Sequence, residues 1–153
     1  MVANSRASSP AAQAWELYRQ VFAAHQPRFM RICADFELSK QQAFALQLLD
    51  PDRPVAMSEL AGAMFCDNSN ITGIVDRLED RGLVERRAAP HDRRVKIVAL
   101  TSEGGELRER VLERISEPPP ELAGLSAEDQ RALRDILRRA AEHVDSPQSS
   151  NSA

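Results

Sequence analysis

No stretch of this chain approaches the roughly 18 consecutive apolar residues that a membrane-spanning helix needs, and the opening residues MVANSRASSP lack the charged-then-apolar order of a secretory leader. A soluble, cytoplasmic protein with no membrane partner is expected. Cysteine is scarce: Cys33 and Cys66 are far apart and form no CxxC pattern. That excludes a disulfide scaffold or a zinc ribbon and leaves both as reduced, structural thiols. Histidine is equally thin. His25, His91 and His143 fall in different predicted elements with no His-x-x-His spacing, so neither a metal nor a cofactor is expected. No serine–histidine–aspartate set, paired acids or phosphate-cradling glycine loop stands out, and the chain is not read as an enzyme.

What is present is an ordinary share of apolar residues, 42% of 153, enough to bury one core without cross-links. Basic charge is carried almost wholly by arginine. The net charge of −3 argues against a polyanionic partner until its distribution is followed along the chain. Between residues 81 and 96, Arg81, Arg86, Arg87, Arg93, Arg94 and Lys96 face only Glu85 and Asp92, so that segment is +4 and the rest of the chain −7. A basic patch of this kind permits nucleic-acid binding without requiring it.

The ends, residues 1–10 and 145–153, are rich in Ser, Ala and Asn and are expected as disordered tails around one domain, 11–144. Trp15, Tyr18, Phe22, Phe29, Cys33 and Phe36 recur at helical spacing and predict a long first helix over about 11–35. Pro27 is expected to kink or break it near residue 26, because it removes the amide bond back to Ala23. Ser39 and Gln42 form a capping box for a second helix that ends before Pro51, and PDRP makes a turn. A short helix over about 57–64 follows, weakly started at Ala56. Asp67 caps a further helix with Ile71, Ile74, Val75 and Leu78 on one face, stopping at Gly82. The period then changes. Leu83–Arg87 and Val95–Leu100, joined by a charged tip, read as a β-hairpin. Thr101 caps a helix carrying Leu107, Val111 and Ile115 that stops at the triple proline 118–120, and Ser126 caps a last helix with Leu133, Ile136, Leu137, Ala140 and Val144 on one side.

Two short helices joined by a tight turn, the second followed at once by a hairpin, can place one helix in a major groove while the hairpin reaches the flanking backbone. Asn68, Ser69, Asn70, Thr72, Gly73, Asp76 and Arg77 line the polar face of that second helix. Short amide and hydroxyl groups near a helix N-terminus suit base-edge and phosphate contacts. Gly73 in mid-helix costs about 1 kcal/mol relative to alanine, which close approach to another surface would explain.

The run from Ser58 to Gly104, with NITGIVDRLEDRGLVER and DRRVKIVALT in order and spacing, resembles the winged-helix region of the MarR family. More loosely the resemblance covers 11–144. It implies a mainly α fold with a small β-hairpin wing: a winged helix-turn-helix over about 38–101, with dimerisation helices over about 11–35 and 102–144. It also implies a transcription regulator, a ligand-responsive repressor that binds double-stranded DNA at a pseudo-palindromic operator as a homodimer. The DNA-binding candidates are Asn68, Ser69, Asn70, Thr72, Arg77, Arg93 and Arg94. In this comparison Asp92 structures the wing and pairs with a helix arginine such as Arg77, Arg94 goes to DNA, and Arg93 enters the minor groove. A cleft for a small aromatic or anionic effector is implied, with His25, Arg28 and Phe29 as its lining. The competing reading is a winged-helix dimer that serves as a protein-interaction module without DNA binding, favoured by the acidic net charge and by Asp76, Glu79 and Asp80 on the second helix.

Overall fold

The computed structural model describes residues 9–143; Val144, the expected tail 145–153 and residues 1–8 of the expected tail 1–10 lie outside that range. The described residues divide into two compact units, one ending at Ser116 and the other starting at Glu117. The first holds α1 (Pro10–Asp35), α2 (Lys40–Leu48), β1 (Val55–Ala56), α3 (Met57–Ala63), α4 (Asn68–Asp80), β2 (Val84–Ala88), β3 (Lys96–Leu100) and α5 (Ser102–Ser116). The second holds α6 (Pro120–Ala123) and α7 (Ala127–Glu142). The fold is mainly α with a small antiparallel sheet, as expected. Among the described residues no helix is long and apolar enough to cross a membrane.

Helix starts follow the cap chemistry. Ser9 accepts the Ala12 amide ahead of Pro10, so α1 begins at residue 10, which the sequence reading assigned to a tail. Ser39 and Gln42 exchange both bonds of a capping box, and Thr101 accepts the Gly104 amide at 3.0 Å. Ala56 has no side-chain cap to offer α3, as its methyl dictates. Of the two outcomes expected at Pro27, a kink or a break, the break does not occur: α1 runs as one helix of 26 residues. One missing amide donor is not enough to end a helix whose last turns are fixed by buried Ile32 and Cys33 and by Phe29 and Phe36 packed on the core.

The sheet order is β1-β3-β2, all antiparallel, with Val55 opposite Val98 and Val84 opposite Leu100. The strand at Val55–Ala56 was not anticipated where a turn running into a helix was read. It adds a third strand along β3 at Ile97 and Val98. The core of this unit is built from Leu46, Leu49, Leu60, Ile71, Val75, Leu78, Val84, Val98 and Val111, all essentially sealed from solvent. Gly104 lets α5 cross the sheet closely: a Cβ there would lie 1.8 Å from the Leu83 carbonyl oxygen.

Three helices of this unit end on a residue with left-handed backbone: Glu37 (φ 55°), Phe65 (φ 51°) and Gly82 (φ 70°). Only the last is a glycine, and side chains other than glycine or asparagine resist that conformation by about 1 kcal/mol or more. At Glu37 the surroundings compensate, because the Arg81 guanidinium donates to the Glu37 carbonyl at 2.6 Å and to the Phe36 carbonyl at 3.2 Å. Among the described residues no side chain does the same at Phe65, where backbone bonds from Phe65 to Gly62 and from Cys66 to Ala61, both 3.1 Å, hold the turn.

In the second unit α6, a single turn not expected from the sequence, begins on Pro120, the last of the three prolines. Its carbonyls at Leu122 and Ala123, together with that of Leu125, accept the Gln130 side-chain amide from α7. An open apolar groove of about 630 Å³ is lined by Pro118, Leu122, Leu133 and Leu137, among others.

Candidate nucleic-acid interface

The polar helix is α4. Asp67 caps it twice over, accepting the Asn70 amide at 2.8 Å and the Ser69 hydroxyl at 2.7 Å. Those two bonds, the Ser69 hydroxyl first, hold the Asp67 carboxyl below the usual carboxylate range. Ile71, Ile74, Val75 and Leu78 are buried, which leaves Asn68, Ser69, Asn70, Thr72, Asp76 and Arg77 on the solvent side. Thr72 donates its hydroxyl to the Asn68 carbonyl at 2.7 Å, so both hydroxyls of this face bond back to their own helix end. The side-chain amides of Asn68 and Asn70 carry no intramolecular bond among the described residues. A Cβ on Gly73 would meet nothing within 4 Å, so no neighbour among the described residues explains a glycine there.

The wing loop closes by bonds from the Ala89 amide to the Val95 carbonyl and from the Val95 amide to the Asp92 carbonyl. The Asp92 carboxylate accepts the Arg94 amide at 2.9 Å. The expected Asp92–Arg77 pair is not formed: Asp92 spends its contacts within the loop, and Arg77 stands exposed on the last turn of α4. Arg86 on β2 makes the link instead. Its guanidinium lies 2.6 Å from Asp76 and 2.9 Å from Glu79 and donates to the Thr72 carbonyl at 3.1 Å, while its own amide donates to Glu79 at 3.0 Å.

This redistributes the charge counted from the sequence. Arg81 is taken up by the turn after α1, Arg86 by α4, and Arg87 pairs with Glu85. Arg93, Arg94 and Lys96 stand exposed on the wing with no ion pair among the described residues. Asp76 and Glu79, which weighed toward a protein-binding helix, are both paired to Arg86. The sequence signal for that clamp was an arginine two residues into a strand behind a helix ending in acids, and the more conspicuous Asp92 obscured it.

The effector candidates His25, Arg28 and Phe29 share adjoining turns of α1. Arg28 donates to the Arg114 carbonyl of α5 at 3.3 Å, Phe29 packs on the core, and the His25 Nε2 is sealed from solvent without a partner among the described residues. Arg110 of α5 stacks over the Phe36 ring, 5.3 Å from its centroid. Cys33 is buried, which pushes its thiol up, and Cys66 is half-buried. No cluster of metal-binding side chains occurs among the described residues.

Comparison with known proteins bears on this surface. The family model described as the MarR family matches residues 38–96. The chain is 32% identical over 130 residues to the HTH-type transcriptional repressor NicR of Pseudomonas putida, covering 83% of this chain and 81% of that protein. The structure of a MarR family protein from Bacillus stearothermophilus superposes with a TM-score of 0.77 at 27% identity, covering 89% of this chain and 96% of that one. Wild-type MarR from E. coli, in its apo form, superposes with a TM-score of 0.71 at 22% identity, covering 82% and 94%.

Proposed function

This chain belongs to the MarR family, and from that premise we propose that it is a DNA-binding transcription regulator, a ligand-responsive repressor that binds a pseudo-palindromic operator as a homodimer. The observation that carries the reading is the pairing of Asp76 and Glu79 with Arg86. It ties up both carboxylates and cancels one of their two charges beside a wing on which Arg93, Arg94 and Lys96 remain exposed.

In this reading α4 enters the major groove. Asn68, Ser69, Asn70 and Thr72 meet bases and phosphates there, and Arg77 meets the backbone. Arg94 faces phosphate, and Arg93 faces the minor groove, where a guanidinium is drawn to narrow A·T-rich stretches. Asp92 keeps the loop in shape. The winged helix spans about 38–101, and the helices before and after it form the dimer layer. On α1 the rings of Trp15, Tyr18 and Phe22 stack in series, 5.6 and 6.2 Å apart, yet each is more than half exposed. A second copy would cover them. A small aromatic or anionic effector held near His25, Arg28 and Phe29 would release the operator if it bound better when the two α4 helices are wrongly spaced.

Selecting bound sequences from random DNA tests the reading, followed by titrating affinity against salt. A half-site repeated in inverted order and a steep log–log salt slope are expected, because phosphate contacts release counterions. A flat slope with no enriched sequence would sink it and turn attention to a protein partner. Sedimentation should find a dimer that is lost when residues 121–153 are removed.

A further inference from the structure

Phe65 is 95% exposed, the most exposed of the large apolar side chains described, and it occupies the left-handed position that closes α3. A helix C-terminus of this geometry is ordinarily served by glycine, which has no Cβ to clash. Glycine lies close by at Gly62, in open space within α3, yet the strained position itself holds phenylalanine. The ring gains nothing from the fold: it is outside the core, and no aromatic or cationic partner is recorded for it among the described residues. The residue thus adds strain and solvent-exposed apolar area with no compensating contact among the described residues. Strain retained in this way points outward, to something the folded chain meets.

Its position says what that is. Phe65 stands two residues ahead of the Asp67 cap and three ahead of Asn68, at the end of α4 where the unbonded amides of Asn68 and Asn70 lie. We propose that Phe65 is a specificity-determining DNA contact, its ring packing against the 5-methyl group of a thymine in the major groove beside the bases met by Asn68 and Asn70. Thymine is the base that presents an apolar group in that groove, and a phenyl ring is among the side chains that read it. The flanking amides supply no apolar surface, so Phe65 adds a kind of readout that the polar face of α4 lacks. This inference rests on the DNA-binding reading above.

The experiment uses the full chain and the operator obtained by selection. Each thymine of a half-site is replaced in turn by uracil, which removes the methyl and nothing else. One replacement should weaken wild-type binding about fourfold, the effect of one buried methyl's worth of apolar surface. Phe65→Gly should bind the unmodified operator more weakly and lose all sensitivity to that uracil, whereas Phe65→Leu should keep part of it. The melting temperature of Phe65→Gly should rise, since glycine relieves the backbone. A lowered melting temperature would mean that the fold needs the ring, and the proposal would fall. If the wild type binds no DNA, both readings fall together. If it binds but Phe65→Gly shows the same affinity and the same uracil profile, only the Phe65 assignment falls.

Discussion

An Arg86 guanidinium nitrogen lies 2.6 Å from an Asp76 carboxylate oxygen, and this contact joins the first wing strand to the helix proposed to read DNA. The arginine side chain is only a quarter exposed, so its bonds to Asp76, Glu79 and the Thr72 carbonyl are shielded from much of the screening that weakens surface pairs. Arg86→Ala should destabilise the fold by about 1.5–3 kcal/mol, the range for hydrogen bonds to charged groups. It should also reduce DNA affinity, because two carboxylates then face phosphate uncompensated. Arg86→Lys should restore the affinity in part and the stability less, since an ammonium cannot span three acceptors in a fork. Thermal melting and binding anisotropy on the same samples check both arms.

Gly73→Ala separates folding from binding. Alanine in a helix interior is favoured by about 1 kcal/mol over glycine, and a Cβ at this position meets nothing within 4 Å. The variant should melt at a higher temperature yet bind DNA less tightly, because its methyl stands where the groove surface would approach. Unchanged affinity would mean that α4 does not approach DNA along this face.

Wing and helix should fail differently. Arg93→Ala and Arg94→Ala should weaken binding to nearly all sequences and lower the salt slope by about one per lost phosphate contact. Asn70→Ala should instead cost about 1–3 kcal/mol at one base position in each half-site and relax preference there. A panel of single-base operator changes measured against each variant distinguishes the two. Altered base preference from the wing variants alone would reverse the assignment.

Adjacent glycines on α5 should behave in opposite ways. A Cβ on Gly104 would stand 1.8 Å from the Leu83 carbonyl oxygen, so Gly104→Ala forces α5 off the sheet and should destabilise by roughly 1–3 kcal/mol or more. Gly105 has open space, so Gly105→Ala should stabilise by up to about 1 kcal/mol. Denaturant melts of the two variants decide it.

Much of the fold was legible because cap chemistry is local. Ser39, Asp67, Thr101 and Ser126 each bond an amide three residues on, and such partners can be read from spacing alone. What depended on distant partners could not be read in this way. Val55–Ala56 is too short to show a strand period, and its partner Val98 comes from the far side of the helix-turn-helix. The choice of Arg86 over Asp92 as the link between wing and helix depended on which strand turned its side chain toward α4. At Pro27 spacing could not decide between a kink and a break, because the local rule ignores how firmly the core holds Cys33. The α4 face was visible in the spacing of its apolar residues, but the commitment of the Ser69 and Thr72 hydroxyls to their own helix was not.

The short strand β1 also governs compliance. It runs directly into α3 and borders β3 at Ile97 and Val98, so β3 is hydrogen-bonded on both edges just below the tip, whereas at Ala99 and Leu100 it has β2 alone. Bending therefore concentrates in the loop of residues 89–95, and the stretch of β3 that carries the tip must travel with α3 as one body. Slow amide exchange at Ile97 and Val98 beside fast exchange across that loop would be its signature. A tip that adjusts on a base that does not can follow local variation in groove width while still transmitting the position of its helix-turn-helix without slack.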